Sequence, residues 1–155
     1  MSVMEWTKKL SVGLAELDDD HKQLIRIINQ LGTEYPPEER RAALRQSLVA
    51  LRRYAEFHFA REEKVLMACA YPNLEEHRGE HRDFVQRIQE LTRQFDADPE
   101  STSEIVNQDL LSFLRDWLNH HIMTEDKAYT PVIENNPNAK AAAKDFQGTQ
   151  IWWSG

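Results

Sequence analysis

The 155 residues, 41% hydrophobic and 29% charged, suit one soluble domain with a buried core and leave no room for a second. Lysine and arginine number 19 against 26 aspartates and glutamates, and the resulting net charge of −7 repels phosphate backbones and anionic lipid headgroups, which argues against a nucleic-acid partner. The opening MSVMEWTKKLSVGLAELDDD lacks the apolar run of a signal peptide, no later segment approaches the roughly 20 apolar residues of a membrane span, and the single cysteine, Cys69, fits a reducing compartment. The expected location is the cytoplasm, with no direct membrane insertion.

Only 5 glycines and 6 prolines occur, and most cluster at Gly32 through Pro37, Tyr71-Pro72-Asn73, Asp98-Pro99 and Pro131 to Pro137. These breaks separate four long segments. None alternates apolar and polar residues for long, whereas all show the three-four apolar spacing of a helix, so the class is all-α. The first segment carries Leu17, His21, Leu24, Ile28 and Leu31, with Asp18 as a candidate N-cap. The second carries Leu44, Leu48, Leu51, Ala55, His58, Glu62 and Val65. A third follows the candidate cap Asn73 with Leu74, His77, His81, Phe84, Ile88, Leu91 and Phe95, and the fourth reads Leu110, Leu114, Trp117, His121. Four amphipathic helices with short turns predict an up-down-up-down four-helix bundle over residues 17–134 of a single domain, 1–155. An N-terminal arm, 1–16, precedes it. A C-terminal extension, 135–155, follows, in which Ala139 to Ala143 and Ile151-Trp152-Trp153 predict a short helix and an aromatic clasp against the bundle.

In such a bundle the start of the first helix, the end of the second, the start of the third and the end of the fourth share one end. His21, His58, His77, His81 and His121 therefore converge there. One histidine on an apolar face is ordinarily a hydrogen-bonded core residue, but five imidazoles and a carboxylate buried without partners would cost more than a marginally stable domain tolerates. A metal centre satisfies their lone pairs together. His77 and His81 stand four apart, about 6 Å from each other on one helix face, and can grip one ion; His58 and Glu62 form a second such pair. Five histidines exceed the needs of one tetrahedral zinc, so two ions fit better, and two like charges held close need bridging carboxylates. Glu62 supplies one bridge. For the other, Glu125 and Asp126 compete: the first keeps strict four-residue spacing after His121, while the second continues into an interior Tyr129 and Ile133. Asp126 is favoured weakly. Five residues turn an ideal helix by about 500°, which leaves two side chains about 140° apart, so Asp126 requires a local π-bulge near His121.

The stretches WTKKLSVGLAELDDDHKQLIRIINQL, HFAREE, HRGEH and WLNHHIMTED resemble the hemerythrin family, most closely its single-domain bacterial members, over roughly residues 5–130. That resemblance implies two iron ions (Fe2+/Fe3+), oxo- or hydroxo-bridged, in a non-heme di-iron centre. His77, His81 and His121 would then serve the six-coordinate iron, His21 and His58 the iron with an open position, and Glu62 and Asp126 the bridges. The family spacing H-x-x-x-x-D also selects Asp126. Leu24, Phe59, Trp117, Leu118 and Ile122 match pocket-forming positions, where a dry, apolar wall would protect bound dioxygen. His120 is left over as a polar residue off the seam, and Glu125 is an ionisable group beside the site.

The implied function is reversible dioxygen binding as a carrier or store, without enzymatic turnover, by a monomer that supplies an oxygen-consuming enzyme. An oxygen or redox sensor is a second reading, although a sensor needs an output module that the chain lacks unless its tail recruits a partner. A di-iron oxidase or peroxidase is a third, with Glu125 as the one candidate proton donor.

Overall fold

The computed structural model describes residues 4–145, and every regular element among them is helical. A short 3-10 turn at Lys8–Leu10 precedes α1 (Ala15–Leu31), α2 (Pro37–Ala68), α3 (Leu74–Ala97) and α4 (Pro99–Trp117). The chain continues without a break into a π-helical segment, Leu118–Asp126, then α5 (Lys127–Ile133) and α6 (Pro137–Asp145). Packing of α1 on α2, α2 on α3, α3 on α4 and α4 on α1 makes the expected bundle. None of these helices is long and apolar enough to cross a membrane.

Local chemistry explains most of the boundaries. Pro37 opens α2, where its missing N–H costs nothing, and Glu38 and Glu39 complement the positive end of the helix. Asp98 ends α3 and caps α4, its side chain accepting a bond from the Ser101 N–H at 3.3 Å. Asn73 precedes α3 without making a side-chain capping bond.

Two expected signals act differently. Asp18 is not the cap of α1, which begins at Ala15; it lies one turn inside and turns back on the arm, accepting from the Val12 N–H (2.9 Å) and the Ser11 hydroxyl (2.6 Å). A carboxylate in the first helical turn is also favoured by the dipole, so the residue type suits either role. Pro131 does not break the chain but sits inside α5, and the turn comes at Glu134–Asn136, with Asn135 at φ 60°. Its ring removes a single donor, and α5 ends two residues later, so the loss is confined to one carbonyl.

The core is divided. A larger apolar cluster, built on Leu24, Ile28, Leu44, Leu51, Phe84, Leu91 and Leu110, fills most of the bundle. A smaller one, with Val12, Leu14, Leu17, Val65, Leu66, Tyr129 and Ile133, closes the other end. Ala139, Ala142 and Ala143 of α6 join this second cluster against α2, so the alanine-rich patch is helical and packed as expected. Ile151-Trp152-Trp153 lie outside the described residues. Gly13 lets the arm approach the α5–α6 turn: its φ is 87°, and a Cβ there would lie 3.1 Å from the Glu134 Cβ. The seven polar side chains that interrupt the helical seams lie between the two clusters.

Candidate metal centre

His21 comes from α1, His58 and Glu62 from α2, His77 and His81 from α3, and His121 and Asp126 from the π segment. All seven are buried, with Glu62 and Asp126 fully so. Every one of the five imidazoles presents its Nε2 to these two carboxylates. Glu62 Oε1 contacts His77 Nε2 and lies 2.9 Å from His81 Nε2, while its Oε2 lies 3.3 Å from His58 Nε2 and 3.9 Å from His21 Nε2. Asp126 Oδ1 lies 2.9 Å from His77 Nε2 and 3.1 Å from His121 Nε2, and Oδ2 lies 3.2 Å from His21 Nε2. The donor atoms form two groups that share Glu62: Glu62, His77, His81 and His121 in one, and His21, His58, Glu62 and Asp126 in the other.

Hydrogen bonding accounts for only part of this proximity: His77 and His81 bond to Glu62, but other members of the cluster are left over. Among the described residues, both nitrogens of His21 and His121 and both oxygens of Asp126 are buried without a hydrogen-bond partner. Lone pairs that converge at about 3 Å and stay unsatisfied, as these do, are costly in a protein interior, and shared cations remove that cost. Imidazole nitrogen with carboxylate oxygen is a donor set suited to iron, zinc or manganese.

The π segment makes the last contribution possible. On α2, His58 and Glu62 share a face at ordinary four-residue spacing, but His121 and Asp126 stand five apart and would diverge on an α-helix. The wider turn over Leu118–Asp126 realigns them, as the seam continuing into Tyr129 and Ile133 required, and both of those residues are buried.

Partners on the far side of the rings orient them. His58 Nδ1 lies 3.0 Å from Asp20, which Arg61 holds with two contacts of 3.0 Å. His81 Nδ1 lies 2.8 Å from Glu63, which accepts from Arg78, and His121 Nδ1 lies 3.4 Å from Glu80 Oε2. The Tyr129 hydroxyl donates to Glu62 Oε2 at 2.9 Å. A carboxylate on Nδ1 fixes the tautomer that leaves Nε2 free to ligate. Sequence reasoning missed Asp20, Glu63, Glu80 and Arg61. Each stands next to a seam position in the chain, and that adjacency is the signal that could have found them.

These charges shape the titration of the metal-free fold. Burial alone would lower His58, but hydrogen bonds and charge from Asp20 and Glu62 push it up to about 10. Burial is likewise outweighed at His77, which Glu62 and Asp126 push up to about 11, and at His121, which Asp126 and Glu62 push up to about 9. Conversely, burial would raise Glu62, yet His77, His121 and His58 hold it well below the usual carboxylate range. Asp126 is also held low, with His121 and His21 outweighing burial and the Glu62 charge.

Leu24, Phe59, Trp117, Leu118 and Ile122 are all buried in the larger cluster, on the side of the centre away from α6. Phe59 stacks on the His81 ring at 3.9 Å and Trp117 on the His121 ring at 4.0 Å. Tyr54, which sequence reasoning also missed, stacks on His58 at 5.0 Å. It precedes His58 by one helical turn and stands next to the seam position Ala55. His120 is exposed, and Glu125 lies 3.9 Å from it on the outer side of the π segment.

Comparison with known proteins agrees with this geometry. The hemerythrin HHE cation binding domain matches residues 12–133. The chain is 33% identical to the bacteriohemerythrin of Methylococcus capsulatus (strain Bath) over 136 residues, covering 86% of this chain and 98% of the relative. It is 29% identical to that of Clostridium acetobutylicum over 129 residues, covering 80% and 96% respectively. Among solved structures, a wild-type hemerythrin crystal structure superposes with a TM-score of 0.64 at 27% identity, covering 86% of this chain and 99% of that one. A bundle of this topology, with its buried histidines and carboxylates in the matched region, belongs to the hemerythrin family.

Proposed function

We propose that the seven buried side chains hold two iron ions and that the protein binds dioxygen reversibly, as a cytoplasmic carrier or store for an oxygen-consuming enzyme. The observation that carries this reading is the convergence of five Nε2 atoms on two buried carboxylates, with donor atoms left unsatisfied among the described residues. His77, His81 and His121 would hold one ion, His21 and His58 the other, and Glu62 and Asp126 would bridge them. With two carboxylates against five imidazoles, the set gives the ions less anionic charge than the carboxylate-rich ferritin-like centres have. An iron pair held by these residues would supply the two electrons that reversible dioxygen binding requires.

The chain's own residues do the rest. Asp20 and Glu63 keep the His58 and His81 rings oriented, so this part of the donor set is preorganised before any ligand arrives. Tyr129 anchors Glu62 through its hydroxyl and so limits rotation of the bridging carboxylate. Leu24, Leu118 and Ile122, each less than 4% exposed, form an apolar wall that excludes water and slows proton delivery. Glu125, the one acid considered as a proton donor, pairs with exposed His120 instead of pointing along that wall, which supports binding over turnover.

The test is an optical spectrum of the iron-loaded, anaerobically reduced chain, taken before oxygen, after oxygen, and again under inert gas. A visible band that appears with oxygen and disappears on its removal is the expected result. Immediate and irreversible conversion to a ferric spectrum would overturn the carrier reading and favour a redox role. Sedimentation of the loaded chain, expected as a monomer, tests the assembly state.

A further inference from the structure

Outside the buried centre, Glu80 of α3 meets His120 and Glu125 of the π segment. His120 Nε2 lies 3.7 Å from Glu80 Oε1 and 3.9 Å from Glu125 Oε1, and donor atoms of the three residues all fall within 4.8 Å of one another. Each stands one position before a member of the buried centre: Glu80 before His81, His120 before His121, Glu125 before Asp126. This offset follows from the backbone. A π turn brings residues five apart onto one face, so the turn that pairs His121 with Asp126 inside also pairs His120 with Glu125 outside. The packing of α3 that sets His81 beside His121 sets Glu80 beside His120.

We propose that Glu80, His120 and Glu125 form a second, solvent-facing metal site, which takes one divalent first-row transition cation. An imidazole with two carboxylates selects such ions over magnesium or calcium, which prefer oxygen alone. Donor atoms around an ion at bonds of about 2.1 Å sit about 3.0–3.6 Å apart, so the observed spacings close with small side-chain rotations. His120 is 69% exposed, which leaves room for water in the remaining coordination positions. Two carboxylates neutralise the cation.

The outer site is wired to the inner one through a single carboxylate. Glu80 offers Oε1 to His120, while its Oε2 lies 3.4 Å from His121 Nδ1. A cation on Oε1 draws negative charge away from the His121 ring, so occupancy outside alters the electronic environment of the centre inside.

Titration of the tag-free, ferric iron-loaded chain with Ni2+, followed by calorimetry, tests this. We expect one saturable equivalent per chain and a shift of the visible iron absorption that tracks its binding. His120→Ala should weaken that binding at least tenfold and Glu125→Gln several-fold, with iron content unchanged in both. Equal Ni2+ binding by wild type and His120→Ala would overturn the site, and binding without a spectral shift would overturn the coupling through Glu80. Repeating the titration on the metal-free chain separates this proposal from the di-iron reading: the His120-dependent equivalent persists whether or not the inner residues hold iron.

Discussion

The two carboxylates of the centre reach it by different backbone routes. Glu62 follows His58 by four residues on a regular α-helix, while Asp126 follows His121 by five on a π segment. A seam of fixed period is cheap to build but limits each helix to one inward residue per turn. The π segment shifts the register within a single helix, so His121 faces the centre with α4 packed normally before it and Tyr129 and Ile133 buried normally after it. Inward position is thus set by the local helix type as well as by residue spacing.

The largest effect expected from breaking this comparison is that of Glu62→Ala. Glu62 belongs to both donor groups, so its loss should abolish binding of both ions, measured as metal per chain after loading and desalting. Asp126→Ala should be milder and asymmetric. The group of Glu62, His77, His81 and His121 does not include Asp126, so about one ion per chain should survive by the same assay.

A pH experiment sharpens the contrast between the two pairs. In the metal-free fold His58 rises from 6.5 to about 10, His77 to about 11 and His121 to about 9. Raised values mean that these pairs stabilise the metal-free fold fully below about pH 6.5 and lose that contribution as pH climbs through 9 to 11. Glu62 and Asp126, both lowered, contribute above their ordinary values of 4.5 and 3.8 and lose it as pH falls. The metal-free melting temperature should therefore be highest between about pH 5 and 6.5. Metal must displace the histidine protons, so loading at pH 7 should release up to three protons per chain from His58, His77 and His121, read with an indicator dye.

Smaller effects probe the supports. Tyr129→Phe keeps the ring but removes the donor to Glu62, and should cost about 1.5–3 kcal/mol in urea denaturation of the metal-free chain at neutral pH. Deleting exposed Thr124 should do least to metal content. It places Asp126 four residues after His121 and keeps Tyr129 and Ile133 in register with Asp126, so an ordinary α-turn can replace the π segment with two ions still bound. Loss of metal in that variant would show that the π segment does more than correct the register.

The fold and the inner ring of the centre were legible because buried polar residues on a helical seam stand out against an apolar background. His58 and Glu62 needed only the four-residue rule, and the preference for Asp126 over Glu125 came from the bulk of Tyr129 and Ile133 downstream. Asp20, Glu63 and Glu80 were not legible, because in sequence they are acidic residues on the flank of a charged helix, and only neighbouring helices set an imidazole beside them. Asp18 was misread as a cap because its true partners, Ser11 and Val12, are backbone and hydroxyl groups of an arm without periodicity. Pro131 misled because proline marks a break only where its missing donor was needed.

The contacts that close the end of the bundle join remote parts of the chain. The ammonium of Lys127 donates to the carbonyl of Ser11 at 2.7 Å, and Gly13 meets Glu134 across the gap that its missing side chain leaves. Such contacts close very long loops, whereas the α1–α2 and α3–α4 hairpins close short ones, so chain entropy favours the hairpins first and the capped end last. The short α2–α3 hairpin lies at the histidine end too, so the same entropy favours early approach of His58 and Glu62 to His77 and His81, and the arm and α5 seal that half-built centre afterwards.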